Sequence, residues 1–164
     1  MLLGREVDLS LAWDYPELPM VVDDVETEVI ADDATVLLVP AGWSRGGPIL
    51  LESLENEQWI VRASQHPITT MFRSCCRKAG FEPRVLVESN DYMESQAMVA
   101  AGLGLTVAPA MTTRYLRDGV ASIALDELST RRILLCRLDQ RKPTPATDAM
   151  RAVLLALFAA MNST

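Results

Sequence analysis

The chain has 164 residues, 49% of them apolar, and a formal charge of −7. That length suits one ordinary domain or two small lobes, and the apolar share supports a packed core rather than disorder. The acidic balance opposes nucleic-acid binding, which needs clustered Lys and Arg, and no apolar run nears the ~20 residues of a membrane span. Glu6 and Asp8 interrupt the first ten residues before any apolar h-region forms. No signal peptide is therefore expected, and the expected compartment is the cytoplasm.

Val7–Trp13 alternates apolar with small or polar residues and reads as a strand. A proline-rich turn follows over Tyr15–Pro19. Thr27–Ile30 and Thr35–Val39 are β-branched runs on either side of Ala31-Asp32-Asp33-Ala34, either one long bent strand or two. Gly42, Gly46, Gly47 and Pro48 mark a loop. A short helical turn over Leu50–Leu54 leads to the strand Trp59-Ile60-Val61. Pro67 then suits the first position of a helix. Ile68, Met71, Phe72, Cys75 and Ala79 form its buried stripe, and Gly80 stops it. Arg84–Val87 is the next strand. Asp91 and Glu94 have capping-box spacing and open a helix with Tyr92, Ala97, Val99 and Ala100 on one side.

The run VAAGLGLTVAP at 99–109 holds a Gly-Leu-Gly, but a phosphate loop needs a strand before the glycines and a helix after them. Here the order is reversed, so Gly102 reads as a helix stop and Leu105–Ala108 as a buried strand. Met111–Leu116 is a short helix ended by Asp118-Gly119. Val120–Ala124 and Ile133–Leu138 are strands. Met150, Val153, Leu154, Leu157, Phe158 and Met161 recur with helical period behind Pro145 and Thr147. Strands alternating with helices predict an α/β fold with a mainly parallel sheet. The unit from Trp59 to Pro109 is complete in itself, which suggests one lobe inserted in another: 1–33 with 120–164 as the first, 34–119 as the second.

Catalytic and metal chemistry finds no assembled constellation. Cys75, Cys76 and Cys136 have no CxxC spacing, and His66 is the sole histidine, so no metal or other cofactor is expected. Cys75 lies on the apolar stripe, while Cys76 has Arg73 and Arg77 as sequence neighbours that would favour a thiolate. Ser64 lacks a nucleophile elbow and His66 is too close to it to imply a triad. Asp23-Asp24 and Asp32-Asp33 read as solvated loops, without the glycine spacing of a calcium loop. The chain is not expected to be an enzyme.

Five landmarks in order resemble the effector-binding domain of LysR-type transcriptional regulators. Gly4–Ala12 (GREVDLSLA) is similar to that family's G-x-x-D-hydrophobic strand. Val36–Gly42 (VLLVPAG) resembles its crossing strand, and Leu51–Ile60 (LESLENEQWI) the opening of its second lobe. Ala79–Pro83 (AGFEP) resembles its G-F-x-P turn, and Val99–Pro109 its V-A-A-G-L-G-I-x-x-x-P run. The likeness covers nearly all of residues 4–160. It implies the two-lobed fold of type 2 periplasmic binding proteins, with a small effector in the cleft between lobes and closure as the mechanism. It also implies that the winged helix-turn-helix and the start of the first lobe are not in this chain, so that apolar surface is exposed there and no operator DNA is bound directly. A homo-oligomer, or pairing with a related regulator, is the expected assembly, although the family's usual dimer contact uses a helix from the part not present.

By the same resemblance the effector contacts fall on Trp13 and Asp14, and on Ser64, Gln65, His66, Thr69 and Thr70. Thr69 and Thr70 occupy the first turn of a helix, where free N–H groups favour an anion. Each has a structural alternative: Ser64 or His66 as a helix cap, Trp13 as core, Asp14 as a turn former. An Asp beside Trp13 would repel a carboxylate, which turns the expectation toward a neutral, aromatic or cationic effector. The alternatives are an interaction module that binds no ligand, or a solute-binding protein, which the lack of an export signal disfavours.

Overall fold

The computed structural model describes residues 2–44, 49–140 and 142–162; of the expected loop, Gly46, Gly47 and Pro48 lie outside them. The chain divides into two compact units, Met1–Asp33 with Arg131–Thr164, and Ala34–Thr130.

In the first unit, β1 (Ser10–Asp14), β8 (Arg131–Leu138) and β2 (Val25–Asp33) form a sheet in the order β1-β8-β2. Both pairings are antiparallel, with a bulge in β2 between Val29 and Ala31. The final helix α3 (Pro145–Asn162) packs on β2. It starts where the Thr144 hydroxyl accepts from the Thr147 amide at 3.2 Å, with Pro145 in the first helical position, where its missing N–H costs nothing. The periodic stripe of α3 is only partly buried. Phe158 is covered, but Met150, Val153 and Leu157 are exposed, and so are Leu11, Trp13 and Val29 on the sheet.

The second unit holds a two-stranded parallel sheet and a three-stranded antiparallel one. β4 (Gln58–Arg62), α1 (Pro67–Lys78), β5 (Arg84–Ser89), α2 (Tyr92–Ala100) and β6 (Thr106–Pro109) follow one another. β4 pairs with β5 in parallel, and a parallel bridge at Trp59–Leu105 ties β4 to β6. Successive side chains of a strand point to opposite faces. Trp59 meets Phe72 of α1 at 4.5 Å between ring centroids, while Ile60 clusters with Val99 of α2. The two helices thus cover opposite faces. β3 (Thr35–Pro40) then pairs antiparallel with both β6 and β7 (Val120–Ala124). The core beneath α2 joins Leu38, Ile60, Val99, Ala108 and Val120.

Several expectations need correction. The parallel pairs are confined to β4, β5 and β6, because only there does a helix return the chain to the same edge; the other pairings are antiparallel. Of the two alternatives left open for the β-branched runs, the structure has two strands, in different sheets and parted by Ala34 alone. Asp32-Asp33 is strand, not solvated loop, and Asp33 is buried against Arg131 at 2.7 Å. The chain returns to the first unit at Arg131 rather than near residue 120, because β7 is bound into the second unit by its pairing with β3. Each crossing is tied on its own side: Arg131 to Asp33 in the first unit, and the Thr35 hydroxyl donating to the Ser129 carbonyl at 2.7 Å in the second.

Both inner helices end in the same way. Gly80 and Gly102 have positive φ (89° and 75°) and donate to Arg77 and Val99, while Phe81 and Leu103 donate to Cys76 and Met98. This closes the orphan carbonyls of each last turn. Of the apolar side of α2 expected from Tyr92, Ala97, Val99 and Ala100, Val99 is in the core and Tyr92 and Ala100 pack against it, but the buried face is not purely apolar. It carries Ser95 and Gln96 beside Val99. Ser95 bonds to Ser89 at 2.6 Å, and the Gln96 carbonyl oxygen accepts from the Arg117 amide at 2.8 Å, while the buried Gln96 Nε2 has no partner.

Candidate functional site

In the second unit the residues expected at the site lie where β4 passes into α1. In open α/β sheets this carboxyl end of the strands is where ligands bind. His66 is the N-cap of α1, and its Nδ1 accepts from the Ile68 amide at 3.3 Å, so the proton of the neutral ring is on Nε2. Ser64, Gln65 and Thr70 are exposed, and His66 is half-buried.

The expected anion cradle of free first-turn amides is not formed. Pro67 has no N–H, Ile68 donates to His66 Nδ1, and the Thr69 and Thr70 amides both donate to the His66 carbonyl. Thr69 is withdrawn further: it is 1% exposed and its hydroxyl donates to the Arg62 carbonyl at 2.9 Å. That bond locks the end of β4 to the first turn of α1. Of the residues expected here, Ser64, Gln65, His66 and Thr70 are accessible, and Thr69 is a structural tie.

The sequence reading missed Arg62 and Tyr92. Arg62 is the last residue of β4 and Tyr92 the first of α2. The Arg62 guanidinium lies over the Tyr92 ring, 5.0 Å from its centroid, and the His66 ring meets Tyr92 edge-on at 6.4 Å. Arg62 Nε is shut off from solvent and has no hydrogen-bond partner. The legible signal was a cation closing an apolar run just before a polar loop.

In the first unit Trp13 is 45% exposed on the open sheet face, so it is not core, and Arg131 lies 5.7 Å above its ring. Asp14, next to it, faces the other way and is 4% exposed. Arg132 grips it in a fork, Nε to Oδ1 at 2.8 Å and Nη2 to Oδ2 at 2.7 Å, and the Met20 amide donates to Oδ2 at 2.8 Å. Burial pushes this carboxyl up, but the Arg132 and Met20 hydrogen bonds and the Arg132 charge outweigh it and hold the group below the usual carboxylate range. Asp14 is thus a neutralised anchor. The repulsion of a carboxylate effector expected from Asp14 is offset, because the Arg132 fork balances its charge.

The thiols offer no nucleophile. All three cysteines are free and buried. Burial pushes Cys76 up to about 12, with the neighbouring Cys75 and Glu82 adding to it, against the smaller pull of Arg73 and Arg77. Those two arginines also lean toward Glu82, at 3.9 and 3.6 Å. Among the described residues no group of three His, Cys, Asp or Glu is placed to hold a metal, and no helix is long and apolar enough to cross a membrane.

The family model for the LysR substrate binding domain matches residues 1–159. The transcriptional dual regulator GltC of Bacillus subtilis (strain 168) is 26% identical over 111 residues, 66% of this chain and 36% of GltC. The chain thus spans about a third of the length of the curated relatives it matches. The regulatory domain of CcmR from Synechocystis PCC6803, solved in complex with 2-PG, superposes with a TM-score of 0.80 at 17% identity, over 96% of this chain and 76% of that one. The BenM effector binding domain with its effector benzoate gives 0.77 at 16% identity, over 99% and 74%.

Proposed function

Because the chain belongs to the LysR substrate-binding domain family, we propose that it is the sensing module of a transcriptional regulator and binds a small-molecule effector. The family consists of regulatory domains and not of enzymes. The observation that carries the ligand-binding reading is the polar loop at the carboxyl end of β4. Ser64, Gln65 and Thr70 are exposed there, and His66 is half-buried and held in one tautomer. In the first unit, taken by itself, the half-exposed Trp13 with Arg131 over its ring is a second candidate contact. The CcmR and BenM domains, solved with 2-PG and benzoate, support a small ligand for this one. Binding would shift an equilibrium between two conformations of the domain. The charge of −7 opposes any direct part in holding DNA.

The test is a thermal-shift screen of small metabolites followed by amide-resolved NMR on the hits. A hit is expected to move the signals of Ser64–Thr70 or the Trp13 indole. Ligands that stabilise the fold without touching either region overturn the reading.

A second reading, an interaction module that pairs with a related regulator or a second copy, draws on the exposed Val153 and Leu157 of α3. Light scattering decides it: Val153→Glu with Leu157→Glu should lower the mass of any assembly while leaving the melting temperature unchanged.

A further inference from the structure

We propose that Arg62 is the ligand-reading cation of the second unit, and that its ligand is a small organic anion engaged through an oxyanion group. This rests on the effector-binding reading above and names the chemistry of the effector.

The observation is an imbalance of charge. Other arginines that are partly covered sit against carboxylates: Arg131 on Asp33, Arg132 on Asp14. Arg62 is covered to a similar degree and has no carboxylate partner among the described residues. Its Nε is closed off from water with nothing to donate to, and the guanidinium lies against the face of the Tyr92 ring. A guanidinium carries five donors in a rigid planar fork, and a donor taken from water without an acceptor is destabilising. A carboxylate or phosphate group that meets the terminal nitrogens of that fork with two acceptors at once supplies the missing opposite charge.

Placement supports the same assignment. Arg62 ends β4 at the edge where α/β sheets receive ligands. The Thr69 hydroxyl fixes its carbonyl and Tyr92 supports its guanidinium, so the cation is pre-positioned. The exposed Ser64 and Gln65 follow within three residues and offer a hydroxyl and an amide to the rest of the molecule.

The experiment is an NMR titration of the whole chain that reads the Arg62 Nε–H signal and the amides of residues 64–70. Benzoate and inorganic phosphate are the two anionic probes, and benzamide is the neutral control. An anion is expected to move the Arg62 signal saturably where benzamide does not. Benzoate alone acting identifies a carboxylate ligand, and phosphate alone a phosphorylated one. Arg62→Gln should weaken binding by about tenfold or more, with an unchanged or higher melting temperature, since an uncompensated charge is removed. A merely structural arginine would lower it. Arg62→Lys keeps the charge without the fork and should fall between. The proposal is overturned if neither anion moves the signal, or if either binds Arg62→Gln as well as the native chain. If benzamide moves residues 64–70 while the anions do not, the effector site stands and the anionic class falls. If anions move Arg62 and leave residues 64–70 unmoved, Arg62 binds anions and the effector reading falls.

Discussion

Asp14 shows how one side chain sets the acid response of the first unit. Its carboxyl is held below the usual range in the fold, so the unfolded chain binds the proton more readily. The stabilisation is therefore full above the ordinary carboxylate pKa near ~4 and is lost as pH falls through the depressed value. Asp14→Asn removes the charged fork and should cost about 1–3 kcal/mol near neutral pH. Urea melts at pH 7 and below 4 check this: the difference between variant and native chain should shrink in acid. The glycines of the 102–104 run make a second case. Gly102 needs its φ of 75°, and Gly102→Ala should cost about 1–2 kcal/mol. Gly104 has a different reason, because an added Cβ would stand 2.6 Å from the Gln58 carbonyl oxygen. Gly104→Ala forces β4 and β6 apart and should cost about 1–3 kcal/mol, read as a lower melting temperature. The role of Gly102 was legible from its place after a helix. That of Gly104 was not, because the carbonyl it meets lies 46 positions earlier in the chain.

At the scale of elements, the N-terminus of α1 has a start that is legible in the sequence and amide partners that are not. His66 before Pro67 is a legible helix start, and the structure makes it the cap. The anion cradle drawn from the same turn failed because the cap and its carbonyl already take the amides of Ile68, Thr69 and Thr70. His66→Ala should cost about 0.5–2 kcal/mol, and His66→Asn, with its own capping oxygen, should recover most of that in thermal melts. The same two variants separate cap from ligand contact: an effector that uses Nε2 loses affinity in both, whatever the stability. α2 gives the opposite lesson. Its capping residues were legible, and Asp91 does accept from the Glu94 amide at 2.8 Å, with Glu94 reaching back to the Asn90 amide rather than that of Asp91. Its buried polar residues were not, because Ser95 and Gln96 are bonded to partners on β5 and at Arg117 that periodicity cannot show.

At the scale of the molecule, alternation of strands and helices revealed the inserted β/α unit, and its motifs revealed the family. Strand direction was lost, because antiparallel pairing of β3 with β6 and β7 joins segments about 70 and 85 positions apart, with no local mark. The second unit is continuous in sequence and has its own core. Residues 34–130 expressed alone should therefore fold and melt in one cooperative transition; calorimetry that shows no peak would contradict this. The burial of all three cysteines, with the Cys76 thiol pushed up to about 12, reaches into practice. A folded chain so silent toward alkylating dyes is a blank background. A single fluorophore attached through Thr70→Cys would then report from the helix start alone, turning the domain into an optical gauge of whatever it captures.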